Sequence, residues 1–198
     1  MIKRILITLL VFHLLAIFQG CCPEMEREFR WFDFEIQILD NSGEIPIITE
    51  ETNLNKNALG MRILLEPLMG YNVNTVSSRK FKIISECYAI SCENYKFIKL
   101  HKLIAIQVIT VNDYSENYPA NSDITELFKA REINKTKSDY TSIDNIISII
   151  NNKNDATGSF DLFLIDKNAN SGEHIFEIRL KFSDDIEMVK QTATLNLY

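Results

Sequence analysis

The chain is poor in basic residues relative to acidic ones: 21 Lys and Arg stand against 27 Asp and Glu, for a formal net charge of −6. Nucleic-acid binding needs clustered Lys and Arg side chains on phosphate, so the sequence predicts no nucleic-acid partner. The same balance argues against a polybasic patch on anionic lipid. Apolar residues make up 46% of the 198 positions, a fraction typical of a folded domain and too high for a disordered chain.

Motifs for catalysis and cofactor binding are also missing. The sequence has no G-x-S-x-G elbow, no phosphate-binding loop of the P-loop type and no H-E-x-x-H helix. His101 and His174 lie far apart in sequence, and isolated histidines are more often structural than metal ligands. We therefore expect no cofactor and favour a protein without enzymatic activity.

No apolar run reaches the length of about 20 residues that crosses the hydrocarbon core of a bilayer. The longest, residues 5–18, is interrupted by His13, follows two basic residues and leads through Gly20 to Cys21. This order is typical of a bacterial lipoprotein signal peptide, with cleavage before Cys21 and diacylglycerol on its sulfur. Phe18 stands where such signals usually carry an aliphatic residue, so cleavage without lipid and a membrane-spanning helix are the alternatives.

The sequence thus divides into a signal peptide at residues 1–20, a lipidated acidic tether at residues 21–28 and a single domain at residues 29–198. We expect the lipid to anchor the protein in the bacterial cell envelope, at the outer membrane. The domain would then face either the periplasm or the cell surface.

Three further cysteines are present, Cys22, Cys87 and Cys92. In an oxidising envelope, Cys87 and Cys92 either close a short loop as a disulfide or remain two free thiols. A metal site is disfavoured, because zinc clusters repeat such pairs and no second pair exists. Cys22 is expected to be a free thiol.

Alternating apolar and polar positions over residues 30–39 predict a strand with one buried face. Phe32 and Phe34 fall on that face, whereas Trp31 falls on the other and is expected to rest under a loop or a second sheet. Further strands are predicted at residues 61–65, 81–84, 102–111, 160–164, 176–182 and 189–197. The strand at 102–111 is almost wholly apolar, so we expect it to be buried on both faces. The last three strands predict an antiparallel meander.

Two short helices are predicted between these strands. Asp123, with Glu126 three residues later, forms a capping-box pattern before a helix at residues 124–130. Ser142 is suited to cap a second helix at residues 143–150. We therefore predict a mainly β protein, an antiparallel β-sandwich (Ig-like or related) with two short helices in a long crossover.

The loop that precedes the first predicted helix combines aromatic and acidic residues, as carbohydrate-binding sites do. Its candidate ligand residues are Asp113, Tyr114, Glu116, Tyr118 and Asp123. The alternative is a solvated connection without a ligand, which is the favoured interpretation.

A second loop has the spacing of a calcium loop, with Asp166 in its first position and Glu177 in its twelfth. Asn168 and Asn170 stand between them at alternate positions. However, the glycine is one position late and the flanking segments are strands. A β-hairpin loop is therefore favoured, and calcium is the weaker alternative.

Several segments together resemble a family of small lipoproteins of the Bacteroidetes type, known only as a domain of unknown function. The resemblance rests on residues 87–92, 104–114, 118–125 and 172–178. It implies a β-rich envelope protein and supplies no catalytic residues.

These features favour a lipid-anchored binding or structural accessory module whose partner is a glycan or another envelope protein. The first alternative is a glycan or peptide hydrolase that uses the carboxylates of residues 113–123, which would need two of them at a set separation. A second alternative is a subunit that assembles by strand exchange, which would need a groove or a missing edge strand.

Overall fold

The computed structural model describes residues 25–70, 95–133, 135, 139–153, 156–166 and 168–198. The predicted signal peptide, the strand predicted at residues 81–84 and all four cysteines lie outside these residues. The lipid anchor and the state of the Cys87–Cys92 pair therefore stay predictions.

The described residues form twelve strands and one α-helix, so the mainly β prediction is confirmed. The strands are β1 (Met25–Asp40), β2 (Ile47–Ile48), β3 (Asn53–Leu54), β4 (Leu59–Met69), β5 (Tyr95–Lys99), β6 (Leu103–Thr110), β7 (Phe128–Glu132), β8 (Phe160–Leu164), β9 (Gly172–His174), β10 (Phe176–Phe182), β11 (Glu187–Gln191) and β12 (Leu195–Leu197). The helix, α1, spans Ile143–Asn152.

The strands form three sheets. The largest has the order β2-β1-β4-β8-β7, with β5 beside the first part of β1. The second has the order β11-β10-β6 and the third β3-β12-β9. Most pairs are antiparallel, whereas β1–β5 and β3–β12 are parallel. The predicted meander is wrong, because β8 pairs with β4 and β7 in the largest sheet, whereas β10 and β11 belong to the second sheet. Strand β8 is buried at all five positions.

Strand β1 departs from strict alternation at a β-bulge between Trp31 and Asp33. A bulge inserts one extra residue and moves the following side chains to the other face. Trp31 and Phe34 are consequently both fully buried, while Phe32 is 51% exposed. The prediction that Phe32 and Phe34 share a face is wrong, and the predicted burial of Trp31 is confirmed.

Only the second of the two predicted helices exists as an α-helix. In α1 the Ser142 hydroxyl accepts the Asn145 N–H at 3.2 Å, as the capping prediction requires, and Ile146 and Ile150 are buried. The helix predicted at residues 124–130 is wrong.

Residues 125–127 form a single 3-10 turn, and β7 follows at Phe128. The Glu126 carboxylate accepts the Tyr118 hydroxyl at 2.7 Å instead of capping a helix. Five residue pairs with β8 hold this segment extended, so sheet pairing outweighs the local helix signal.

One hydrophobic core joins the sheets and α1. Trp31 of β1 lies 5.9 Å from the Phe182 ring of β10, and Ile146 of α1 belongs to the same cluster. The Asn151 side chain fixes the end of α1 beside β6, since it accepts the Leu103 N–H at 3.0 Å and donates to the Leu103 carbonyl at 2.7 Å. These bonds place α1 along the outer edge of β6, where the candidate site lies.

Candidate functional site

A groove of about 710 Å³ opens between β6, residues 123–129 and α1. We call it the β6–α1 groove. It is lined by Ile104, Ala105, Ile106, Asp123, Thr125, Glu126, Phe128, Lys129, Ser142, Ile143, Asp144 and Ile147. Concave sites that combine apolar walls with a few polar groups are the usual form of a ligand site.

Ile104 supplies exposed apolar surface to the groove. A register irregularity in the β6–β10 ladder places Ala105 opposite Lys181 and Leu103 opposite Phe182, so Ile104 is the extra residue of β6. The Ile104 side chain is 50% exposed in consequence. The prediction that β6 is buried on both faces is therefore wrong at this end of the strand.

The polar lining is mainly acidic. Asp123, Glu126 and Asp144 contribute three carboxylates, and Lys129 contributes one ammonium group. Asp144 lies in the first turn of α1, where the helix dipole favours a negative charge. The groove is therefore suited to a ligand that carries positive charge and some apolar surface.

Only Asp123 of the predicted ligand loop lines this groove. Its carboxylate accepts the Thr125 N–H at 2.9 Å and the Gln107 amide at 3.1 Å. Asp113 accepts the Ala120 N–H at 2.7 Å, and Glu116 is exposed. The structure thus gives Asp113 and Asp123 a role in shaping their own loop.

The two tyrosines of the predicted loop are hydrogen-bonded within the protein. The Tyr114 ring is fully buried, and its hydroxyl donates to Asp166 at 3.2 Å. Burial, together with the Asp166 carboxylate, raises the pKa of Tyr114 far above its usual value. The hydrogen bond to Glu126 raises the pKa of Tyr118. Neither hydroxyl is poised to ionise near neutral pH.

The calcium candidate residues each make their own contacts within the protein and do not form one site. Asp166 accepts the Asn168 amide at 2.8 Å, whereas Glu177 lies in β10. Hydrogen bonds from the Gln191 amide and the Arg179 guanidinium lower the pKa of Glu177. The Asn170 carbonyl is bonded to His174 at 2.8 Å. Within the described part of the chain, no three His, Cys, Asp or Glu side chains form a group that could hold a metal ion.

Sequence reasoning missed a charged cluster in the largest sheet. Asp161 of β8 is fully buried and forms two bonds with Arg62 of β4, at 2.7 and 3.1 Å. Arg131 of β7 reaches the same carboxylate at 3.4 Å. Both arginines stand directly opposite Asp161 in the ladders. The available signal was a single acidic residue in the otherwise apolar run at residues 160–164.

Sequence reasoning also missed most of the groove. Asp144 and Ile147 follow the Ser142 cap in the correctly predicted helix, but no local pattern shows which strand a helix packs against. Gln107 was the available signal, because a polar residue inside an apolar strand indicates one face that reaches solvent.

The fold and the site define a mainly β protein with an acidic groove at a sheet edge. Among the described residues no helix is long and apolar enough to cross a membrane. Residues 32–194 match the family described as a domain of unknown function (DUF5034), and the chain belongs to that family. Comparison with curated proteins and with solved structures gave no significant match.

Proposed function

We propose that this protein is a lipid-anchored binding module of the bacterial cell envelope that holds its ligand in the β6–α1 groove. The observation that carries the proposal is the groove itself, with its exposed Ile104, its apolar floor and three carboxylates against one lysine. The ligand belongs to a partner of the envelope, either a glycan or another protein.

The anchor is supported by the order of residues before Cys21 and by the position of the fold. Strand β1 begins at Met25, which is four positions after Cys21, so the folded domain starts close to the proposed lipid and the predicted tether at residues 21–28 overlaps the strand. We place the anchor in the outer membrane, as in lipoproteins of the Bacteroidetes type, with the groove facing periplasm or surface.

The arrangement of the sheets is consistent with a β-sandwich, which we include in the proposal. Side chains from the six-stranded sheet and from the β11-β10-β6 sheet meet in one core, as Trp31 and Phe182 do. At the rim, the Lys190 ammonium of β11 lies 2.8 Å from the Asp33 carboxylate of β1. A rigid sandwich presents loops and edges for binding, in the manner of many cell-surface domains.

Intact mass and membrane partition of the wild type and of Cys21→Ala test the anchor. We expect a diacylglyceryl increment on a chain that begins at Cys21, and both the increment and membrane partition should be lost in the variant. A chain cut elsewhere, or a variant that still partitions into membranes, would overturn the anchor.

Site-specific cross-linking tests the groove. A photo-reactive residue at Ile104 should form adducts with an envelope component in the cells that make the protein. The same residue at Val189, which is 48% exposed on β11, is the matched control. Identical adducts at the two positions, or none at Ile104, would contradict the proposal.

A further inference from the structure

The outer face of the largest sheet carries an apolar surface near the start of β1. Phe29 and Trp31 are buried in the core. Because successive side chains of a strand alternate between its faces, Arg30 and Phe32 point away from that core. Leu68 of β4 pairs with Arg30 and lies on the same outer face. Phe32 is 51% exposed and Leu68 is 45% exposed, so this face is open to solvent.

Strand β5 extends this surface on the other side of β1. Phe29 pairs with Lys99 in the parallel ladder, and the Leu100 N–H donates to the Phe29 carbonyl at 2.9 Å. Leu100 therefore lies beside Arg30. The Lys99 ammonium contacts the Trp31 ring on the inner side, with 4.7 Å between the nitrogen and the ring centre. Because alternate residues face opposite sides, Leu100 points outward, and it is 56% exposed.

Leu68, Arg30 and Leu100 thus form a row across three adjacent strands, and Phe32 lies next to this row. We call these four residues the Phe32 patch. Neighbouring strands lie about 4.8 Å apart, so the row spans about 10 Å. Glu66 of β4, two positions before Leu68, is exposed on the same face and ends the apolar surface there. Contiguous apolar surface that faces solvent marks a contact with another protein or with a membrane.

The position of the Phe32 patch along the chain favours a membrane. Cys21, the proposed site of the lipid, stands nine positions before Arg30, so the chain between them spans at most about 32 Å. Leu39, near the other end of β1, follows Met25 by fourteen positions and lies about 46 Å from it at about 3.3 Å per residue. A lipid on Cys21 therefore holds the patch, and not the far end of β1, beside the bilayer.

The composition of the Phe32 patch suits the boundary between headgroups and acyl chains. Phe32, Leu68 and Leu100 are side chains that gain free energy on entering the acyl region. The Arg30 guanidinium can reach lipid phosphate while its apolar stem packs on the neighbouring leucines. Three apolar side chains bind a bilayer weakly by themselves, but a short tether to the same bilayer raises their effective concentration. A weak contact is then sufficient to orient the domain.

We propose that the Phe32 patch rests on the bilayer that holds the lipid anchor, so that the domain keeps one orientation on the membrane. This inference rests on the proposed function, because Cys21 supplies the tether. Ile47 and Ile48 pair with the far end of β1 and are also exposed. Contact through the Phe32 patch directs these two residues away from the membrane.

Tryptophan fluorescence in vesicles tests this contact. The full-length chain, purified from membranes in neutral detergent, is reconstituted into vesicles of phosphatidylethanolamine and phosphatidylglycerol, with or without brominated acyl chains that quench tryptophan on contact. Phe32→Trp reports on the patch. Ile48→Trp, at a position that is 52% exposed, is the matched control at the far end of β1. Trp31 is the single native tryptophan and is buried, so the wild type supplies the background signal.

We expect brominated lipid to quench the added tryptophan of Phe32→Trp about twofold or more above that of Ile48→Trp, because only the former enters the acyl region. Leu100→Glu, combined with Phe32→Trp, should abolish this difference, since a carboxylate is costly to move into lipid. Val189→Glu, at an exposed position of β11, should leave the difference unchanged. Circular dichroism verifies that each variant is folded, and intact mass reports whether Cys21 carries lipid.

The outcomes separate the membrane contact from the anchor. Equal quenching of the two tryptophan variants, or none in Phe32→Trp, would overturn the contact. Lipid on Cys21 in that case would leave the anchor standing, and its absence would remove both proposals. Selective quenching of Phe32→Trp on a chain without lipid would retain the contact and overturn the anchor. Quenching that persists unchanged with Leu100→Glu would overturn the patch as the contact surface.

Discussion

Two buried polar groups of the described chain, the Asp161 carboxylate and the His101 imidazole, are stabilised by different kinds of partner. Around Asp161, a buried carboxylate lies within one sheet and is neutralised by arginines directly opposite it on both neighbouring strands. Around His101, a buried imidazole lies between elements. Its Nε2 accepts the backbone N–H of Trp31 at 3.0 Å, and its Nδ1 lies 3.1 Å from the Asp184 carboxylate in the β10–β11 turn.

The difference shows what each kind of buried group requires. A carboxylate that cannot reach water needs full charge compensation, which ladder register supplies by placing Arg62 beside it. An imidazole can stay neutral and needs only one donor and one acceptor. Because Nε2 accepts from Trp31, the proton belongs on Nδ1, where it is donated to Asp184. The rings of Trp31 and Phe182 both stack against it, at centroid distances of 5.9 and 4.5 Å, and contact each other.

Removal of the charge at Asp161 should have the largest effect on stability. Asp161→Asn leaves two guanidinium groups around a neutral amide, so we expect a loss of about 3–5 kcal/mol in the free energy of unfolding. Urea denaturation of the purified protein measures it. Asp185→Asn, in an exposed turn, is the control and should change stability by less than about 0.5 kcal/mol. A loss at Asp161 as small as in this control would contradict the compensated-charge interpretation.

The two arginines should contribute unequally. Arg62 makes the short bidentate pair, whereas Nε and Nη1 of Arg131 have no hydrogen-bond partner among the described residues. The Arg131 guanidinium rests 4.5 Å from the Phe163 ring centre. We expect Arg131→Met to cost about 1–3 kcal/mol and Arg62→Met to cost more, since only the latter removes the bidentate bonds.

Denaturation of the two single variants and of Asp161→Asn/Arg131→Met tests this ranking. The double variant should lose less than the sum of its single changes, because both act on one pair. An Arg131→Met variant less stable than Arg62→Met would reverse the assignment of the main partner.

The histidine site should be less sensitive than the Asp161 site. His101→Phe preserves an aromatic ring but leaves the buried backbone N–H of Trp31 without its acceptor. We expect this to lower the free energy of unfolding by about 1–3 kcal/mol. His174→Phe is the matched control, because His174 is also buried and stacked on an aromatic ring, yet donates only to the Asn170 carbonyl. Asn170 is exposed, so water can replace that donor, and thermal denaturation should show a smaller loss in His174→Phe. Equal losses would show that ring packing, rather than the Trp31 bond, accounts for the effect.

The smallest expected effect is a change in acid sensitivity at Asp184. The hydrogen bond to His101 lowers the pKa of Asp184 below its ordinary value of 3.8. Its ionised form therefore favours the folded state above that ordinary value, and this contribution is lost as pH falls through the folded-state pKa. Asp184→Asn should flatten the decline in stability between about pH 5 and about pH 3, whereas Asp185→Asn should not. Parallel pH profiles for Asp184→Asn and wild type would contradict the linkage.

Much of the β-structure could be predicted because its cause is local. Alternation identified β1, β8 and β10, an almost wholly apolar run identified β6, and the Ser142 cap identified the start of α1. The prediction at residues 124–130 failed because a capping pattern measures only local preference, while the pairing with β8 lies more than thirty residues away.

The sequence by itself determined that this chain is an acidic, mainly β domain, since net charge and period-two hydrophobicity are properties of neighbouring residues. It also determined where α1 begins, through the Ser142 cap. Only the tertiary structure decided that Phe32 faces outward, that Asp161 is buried between two arginines and that Ile104 is exposed in the β6–α1 groove. Each of these depends on the register and packing of segments distant in sequence, which no local pattern encodes.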